Sequence, residues 1–456
     1  GAKTMSLQSI ILAAGKGTRM KSKHPKVMHS IFDVPMIDYV LKNCCALSEK
    51  KPIVVVGHAG DTVKEYLSDS ADCVFQREQL GTGHAVMMGI DLIEEDDDVL
   101  IICGDTPLIT DVTLQKMIEL KKHSDAVVMS AVVKNPLNYG RIIRNGEHFS
   151  KIVEEKDATD EQRKICEINA GTYIISGKVL KEQLGTLKTE NSQGEYYLTD
   201  VFENVAKEGI VSLCIADEDE IIGINNRQQL AQATQILKRR INHSLMDNGV
   251  TILDEDTTYI DPSVVIGQDT IIYPNTRISG NTVIGEDCII RENTTIENST
   301  IMNGVEIKSS TLLEAVVEEY STIGPYAYLR PKAHVGKHVK IGDFVEVKNS
   351  KIGDYSKASH LAYIGDADVG KNVNIGCGVV FVNYDGKNKH RTTVGDNSFI
   401  GSNSNLVAPV EIGDMSFVAA GSTITIDVPD DALCIARNKE RIKENWTSRK
   451  GLIKKK

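Results

Sequence analysis

IDPSVVIGQDTIIYPNTRISGNTVIGEDCIIRENTTI, residues 260–296, repeats an aliphatic residue at every sixth position: Ile260, Ile266, Ile272, Ile278, Ile284, Ile290 and Ile296. Glycine follows the beat at Gly267 and Gly285. After one five-residue step the pattern runs through Ile301, Ile307, Leu313, Ile323, Leu329, Val335, Ile341 and Val347, and it closes with Val394, Ile400, Leu406, Ile412, Val418 and Ile424. A helix repeats at about 3.6 residues and a half-buried strand at about 2, so neither produces this beat. A parallel β-helix does: each hexad makes one flat face, its aliphatic residue points into a narrow core, and glycine follows where the corner is tight. At about 18 residues per three-sided coil, about 165 residues give roughly nine coils and a prism about 43 Å long.

The rest of the 456 residues is too long to join a single core, so two or more domains are expected. A net charge of -11 argues against nucleic acid or an anionic membrane as partner, because both require a basic footprint. The first apolar run, residues 10–14, is cut short by Lys16, which leaves neither a signal peptide nor a membrane span and points to a soluble cytoplasmic protein. Nine scattered cysteines without a CxxC pair fit a reducing compartment rather than a disulfide framework. Residues 1–4, ahead of Met5, look like a remnant added before the native start.

In the first half, apolar runs of strand length at 9–13, 52–57, 98–103 and 126–133 alternate with helical patterns at 36–47, 82–93 and 111–123. That alternation predicts a mostly parallel, Rossmann-like sheet with helices on both faces, and ligands beyond the carboxyl ends of the strands. Directly after the first strand comes LAAGKGTRM, residues 12–20. Gly15 and Gly17 allow backbone N–H groups close to a phosphate, while Lys16 and Arg19 add positive charge. By itself this could be an ordinary tight turn. Together with Pro25-Lys26 it resembles the GxGxRM…PK signature of sugar-phosphate nucleotidyltransferases, and the backbone of Leu12, Ala13, Ala14 and Gly15 then cradles phosphate, with Arg19 and Lys26 as catalytic charge.

Gln76 and QLGTGHA (79–85) place Gly81 and Thr82 at a strand-to-helix turn, where the family reads uracil; the alternative is a plain helix start capped by Thr82. The strand DVLIICGD ends on Gly104-Asp105, a hard oxygen donor suited to Mg2+, unless Asp105 only caps the next helix. The resemblance makes Asp105 and Asn225, within GINNR, the two metal ligands, and it assigns the sugar to Gly140 (beside Tyr139 and Arg141), Glu154 and Asn169. Each of the sugar residues could equally be a surface turn.

Between the halves, Leu230, Ala233, Leu237, Ile241 and Leu245 fall at three- and four-residue steps and predict one amphipathic helix over 228–249, stopped by Asn248-Gly249. Its basic cluster Lys238, Arg239 and Arg240 reads as a solvated face. The domain plan is therefore 5–227, a helical linker 228–249, and a solenoid with a C-terminal tail over 250–456.

Two irregularities mark the solenoid: YSKASHLAYIGD (355–366) carries His360 where a β-branched residue is expected, and near 381–394 the beat lapses into NYDGKNKH, a loop leaving the prism. SKASHLAYIGDADVGKNVNIGCG and NYDGKNK, with the first half, resemble the bacterial family that combines N-acetylglucosamine-1-phosphate uridyltransferase with glucosamine-1-phosphate N-acetyltransferase. The fold implied is α/β plus a left-handed parallel β-helix of hexapeptide repeats, acting as a homotrimer.

That resemblance makes His360 the general base for acetyl transfer from acetyl-CoA to glucosamine 1-phosphate, followed by uridylyl transfer from UTP in the first half. It assigns Arg330, Lys348, Tyr363, Asn374 and Lys389 to the sugar phosphate, and Cys377, Asn383, Tyr384, Ser402, Ala420 and Arg437 to acetyl-CoA. Cys377 departs from the family's usual Ala, and Cys103 from the Tyr of some relatives. The tail's single Trp446 is expected to dock on a coil. A single-activity sugar nucleotidyltransferase with a purely structural solenoid is the alternative.

Overall fold

In the computed structural model, residues 6–57 and 59–452 are described; the readings of residues 1–4 and of the terminal lysines 454–456 lie outside them. The chain divides into two compact units, Gly1–Leu237 and Lys238–Lys456. The division falls inside one helix, Arg227–Asp247.

The first unit is built on strands β1 (Ser6–Ala13), β2 (Ile53–Val56), β3 (Asp72–Phe75), β4 (Asp97–Cys103), β5 (Ala126–Val132), β6 (Glu167–Ser176) and β7 (Val211–Ile215). They lie side by side in the order β7-β5-β6-β4-β1-β2-β3. All neighbours are parallel except β6, which runs antiparallel between β4 and β5. Alternate residues enter two separate cores: Ile11, Leu100 and Ile102 face one side with Ile37, Val40 and Met117, while Ile10, Val99 and Ile101 face the other with Leu180, Val201 and Phe202. Burial on both faces is why these strands read as unbroken apolar runs. The helix expected over 82–93 stops at Met87, and a 3₁₀ turn takes over at Ile90–Leu92. Gly89 lies against the Ile53 side chain at the break, where an added Cβ would come within 3.1 Å. β6 and the hairpin Arg141–Asn145/His148–Val153 had no distinct sequence signal.

The second unit is the solenoid. Strands of two to nine residues stack in parallel, and one face alone is a sheet of nine strands in succession. Its core is the row of inward aliphatics, but the register differs from the sequence reading in the middle. Leu312, not Leu313, is the buried residue, and Val317, Ile352 and Val369 fill further inward positions after five-residue steps. The period slips without breaking because a coil can lose one corner residue and still bring its next strand into parallel register.

The corner glycines also act differently from expectation. Gly267 and Gly285 do not adopt left-handed backbone; an added Cβ would instead meet the next coil, 2.7 Å from the Gly285 carbonyl carbon and 2.2 Å from Asn303 Oδ1 respectively. The left-handed turn falls further along, at Asp269, Asn275, Asp287 and Asn293, residues whose short polar side chains tolerate φ near +60°. The stacking starts earlier than Ile260, with Ile252 pairing to Ile272. Ile241, Leu245 and Met246 of the helix close that end of the core. Lys238 is a correction to the solvated-face reading: it is buried, its Nζ donates to the Asp256 carbonyl at 2.6 Å, and it lies 4.7 Å over the Tyr259 ring. A long aliphatic stem explains the burial.

Candidate active sites

In the first unit, strand carboxyl ends and the turns after them converge as the alternation requires. The Leu12 carbonyl accepts the Gly104 N–H at 2.9 Å, tying the turn after β1 to the end of β4. Gly17 adopts φ +60° and admits Lys26 alongside, where a Cβ would sit 2.9 Å from Lys26 Cβ. The Lys26 ammonium donates to Asp105 Oδ2 and, at 3.0 Å, to Asn225 Oδ1. A carboxylate and an amide oxygen thus already converge on a cation, a hard donor pair that fits Mg2+ completed by waters and substrate phosphates. Asp105 does not cap the next helix, because Thr110 does. Arg19 is exposed on the turn Thr18–Met20.

Two cavities open in this unit, and Asp105 lines one of them. One of about 250 Å³ is lined by Leu12, Thr82, Cys103, Asp105, Tyr139, Gly140, Glu154, Asn169, Ala170, Tyr173 and Thr199 among others, so the expected sugar residues do meet in one place. Asn169 donates to the Tyr173 hydroxyl at 2.7 Å, and Thr199 donates to Glu154 Oε1 at 3.1 Å. Burial pushes the Glu154 carboxyl above the usual range despite that hydrogen bond. Burial likewise pushes the Cys103 thiol up to about 12. The other cavity, about 450 Å³, is lined by Lys16, Phe75, Gln76, Arg77 and Gln79. Gln76 donates to the Gly81 carbonyl at 3.0 Å. Gly81 has φ +108° and is itself the helix cap, so Thr82 is free of that role and its hydroxyl accepts the Leu198 N–H at 3.2 Å. Arg141 belongs to neither cavity; it is buried and pairs with Glu155 at 2.8 Å.

On the solenoid the candidates fall into two groups. In the first, buried Asp366 accepts from Lys348 Nζ at 3.1 Å, Asn349 Nδ2 at 2.7 Å and Asn383 Nδ2 at 2.7 Å, and Asn383 also reaches the Tyr363 hydroxyl at 3.2 Å. Burial alone would raise the Asp366 carboxyl, but these donors hold it below the usual range. The Lys348 ammonium keeps Lys389 below the usual lysine range, with Arg330 adding to the effect, so three cations crowd one spot. Arg330 pairs with Glu346 at 2.9 Å. Tyr384 lies in the loop after the strand Val380–Val382, bridged to Lys389 and closed by Asp385, which accepts backbone N–H bonds from Lys387 and Asn388.

The second group is a column. Strand register sets Asp343 opposite His360, and the following coils align Ile375 with Ile400 and Ile400 with Val418. Two residues beyond each inward position come His360, Cys377, Ser402 and Ala420, one above another; Arg437 Nη1 donates to the Ala420 carbonyl at 2.5 Å. Asn374 pairs in register with Lys357 and Phe399 beside this column, away from Tyr363. The expected docking of Trp446 is not seen: the ring remains 48 % exposed, faced by Lys443 and Lys450 of its own segment.

Residues 8–239 match the nucleotidyl transferase family model, 241–325 a GMPPB C-terminal domain, and 391–425 a hexapeptide repeat of succinyl-transferase. The bifunctional protein GlmU of Clostridioides difficile (strain 630) is 53 % identical over 451 residues, 98 % of each chain. The chain belongs to the GlmU family. The GlmU of Alkaliphilus oremlandii (strain OhILAs) is 54 % identical over 456 residues, 99 % of this chain and all of that one, and that of Acetivibrio thermocellus 48 % over 454 residues, 98 % of each. As a GlmU, the chain is a bifunctional transferase that makes UDP-N-acetylglucosamine in two steps: acetyl transfer from acetyl-CoA to glucosamine 1-phosphate, then uridylyl transfer from UTP with release of pyrophosphate.

Residue-level reading of the sequence overlooked several neighbours of these sites. Thr199 and Tyr173 lie far in sequence from the glycine-rich turn, and nothing in their local pattern marks them. Asp366 stands in the quoted YIGD segment, yet only the coil geometry shows three donors meeting on it. Asp343 did have a signal: it precedes His360 by 17 residues, one coil with a five-residue step.

Proposed function

We propose that the two reactions run at the two places described, and that the second is completed by neighbouring copies in a homotrimer. In the first unit Asp105 and Asn225 would hold Mg2+, whose charge offsets that of the triphosphate when bound. Lys26 and Arg19 supply positive charge to the phosphates, and the backbone of 12–15 cradles them. Gln76, Gly81 and Thr82 orient the base, while Gly140, Glu154 and Asn169 hold the sugar. The sugar 1-phosphate oxygen then attacks the α-phosphorus, the bond to pyrophosphate breaks, and no covalent protein intermediate is needed. The convergence of Lys26, Asp105 and Asn225 carries this reading.

On the solenoid, the Arg330, Lys348 and Lys389 charges suit a phosphate, with Tyr363 and Asn374 on the sugar. Cys377, Asn383, Tyr384, Ser402, Ala420 and Arg437 line the path for acetyl-CoA. His360 takes a proton from the substrate amine as its nitrogen bonds to the thioester carbonyl carbon; the C–S bond breaks and the proton passes to the departing thiolate.

A trimer is supported by the exposed apolar corner beside His360, where Tyr326 is 63 % and Phe344 and Leu361 each 58 % exposed, and by the split of the candidates into two groups on one chain. None of the described helices is long and apolar enough to cross a membrane, and free cysteines spread over the described residues fit the cytoplasm.

The test supplies glucosamine 1-phosphate with acetyl-CoA and UTP separately and together. N-acetylglucosamine 1-phosphate should form with acetyl-CoA alone, and UDP-N-acetylglucosamine only with both. His360→Ala should remove the first product and leave uridylyl transfer to added N-acetylglucosamine 1-phosphate, whereas Asp105→Ala should do the reverse, each by a factor of about 100 or more. Loss of both activities in either folded variant would refute the two-site assignment.

A further inference from the structure

We infer that Asp343 is the positioning residue for His360, fixing which ring nitrogen takes the proton; this rests on His360 being the base. His360 Nδ1 lies 2.8 Å from Asp343 Oδ1. The two residues are register partners on adjacent coils, so the contact is built into the strand pairing rather than reached by a long side chain. Asp343 is held below the usual carboxylate range, chiefly by this same hydrogen bond, and an ionised carboxylate can only accept. Nδ1 therefore carries the hydrogen. The lone pair of the neutral ring is left on Nε2, the nitrogen able to receive a proton from an amine.

The column shows why the orienting group stands on this side. Asp343 precedes His360, while Cys377, Ser402 and Ala420 follow it on successive coils. The imidazole is thus anchored from the side opposite the candidate acetyl-CoA residues, and its free nitrogen is not drawn back into the solenoid. With the side chain of His360 61 % exposed, no packed wall holds the ring in one chain, so the hydrogen bond is its main restraint. During transfer the amine proton moves to Nε2, Nδ1–H remains on Asp343, and the resulting imidazolium lies against a carboxylate that offsets its charge. The proton then goes to the thiolate released as the amide bond forms, and the base is restored.

Three substitutions separate the roles. Asp343→Ala removes the acceptor, Asp343→Leu removes it while keeping a branched Cγ, and Asp343→Asn keeps a neutral acceptor. Acetyl transfer is measured in the full chain, with uridylyl transfer as the internal folding control. The Ala and Leu variants should lose about ten- to a hundredfold in kcat with little change in KM for glucosamine 1-phosphate or acetyl-CoA, and Asn should recover at most part of that loss, because its amide can also turn an N–H toward Nδ1 and favour the other tautomer. Nitrogen-15 spectra of the histidine-labelled protein should show the Nδ1–H tautomer at His360 in the unsubstituted chain and a shift toward Nε2–H in the Leu variant.

Unchanged kcat and an unchanged tautomer in both the Ala and Leu variants would overturn the inference while His360→Ala still abolishes acetyl transfer. Full acetyl transfer in His360→Ala would instead overturn the reading beneath it.

Discussion

Glu154 and Asp366 are both carboxylates drawn away from water at a candidate site, and burial acts on them with opposite results. In the α/β unit Glu154 has one hydroxyl donor, from Thr199, and its carboxyl is raised by desolvation. In the solenoid Asp366 collects one ammonium and two amide donors, which outweigh the same penalty. The contrast reflects the two architectures. A cavity walled by several strands and loops can leave an acceptor short of partners until a hydroxyl-rich ligand arrives. A face made of stacked coils can bring donors from neighbouring coils onto one position, as Lys348, Asn349 and Asn383 do for Asp366, and in the function proposed above its missing wall comes from another chain.

The strongest challenge to that contrast is dilution. If the solenoid site is shared between copies, acetyl-transfer activity per chain should fall more than about tenfold below the concentration at which the oligomer dissociates, while uridylyl transfer per chain stays level. Sedimentation run alongside the assay reads both quantities. Equal loss, or no loss from a dissociated chain, would erase the distinction between a self-contained pocket and a shared face.

Charge removal sharpens the comparison at smaller scale. Asp366→Asn should destabilise the solenoid by about 1.5–3 kcal/mol at neutral pH, because Lys348 and two amides lose their common acceptor charge. A depressed carboxyl contributes stability in full above its unfolded value, near about pH 4, and loses it as pH falls through the lower folded value. The variant should therefore flatten the acid limb of the unfolding curve below about pH 4. Glu154→Gln should change stability in the other direction. A raised carboxyl is favourable below the unfolded value and turns costly as pH rises through the folded one, so Gln should gain about 1 kcal/mol at neutral pH while weakening the sugar site. Urea titrations across pH 3 to 8 would show two curves of opposite slope; parallel curves would show that burial, not donor count, governs both groups.

The smallest effect concerns the two unusual cysteines. Cys377 is exposed in the His360 column, whereas burial keeps the Cys103 thiol protonated. Alkylation at neutral pH should label Cys377 and slow acetyl transfer severalfold, leaving Cys103 unmodified and uridylyl transfer unchanged. Mass spectrometry locates the label.

Much of this was legible in order along the chain. The turn at 12–17, the strand Asp97–Cys103 ahead of Asp105 and the helix Met36–Leu47 each carry a local pattern that their own backbone enforces. The hexad beat was legible because nearly every inward position is aliphatic, Phe381 being an exception, to fill a core one side chain wide. It misplaced Leu312 because neighbouring Leu313 fits a strict six after Ile307 whereas Leu312 needs a five-residue step, and only packing distinguishes inside from outside. Thr199, Tyr173 and Asp366 escaped notice because they become neighbours of their sites through folding alone.

By itself, then, the sequence determined the periods and the landmarks: a doubly covered sheet, a coiled prism, a glycine-rich turn after the first strand and a histidine set on a regular face. The tertiary structure decided which atoms meet. It brought Asn225 to Lys26, set Asp343 under His360, and turned Arg141 and Lys238 inward, away from solvent. The physical reason is range: propensity and periodicity act over a few residues, whereas hydrogen bonds and ion pairs depend on distances that chain separation does not encode until strands have chosen their register.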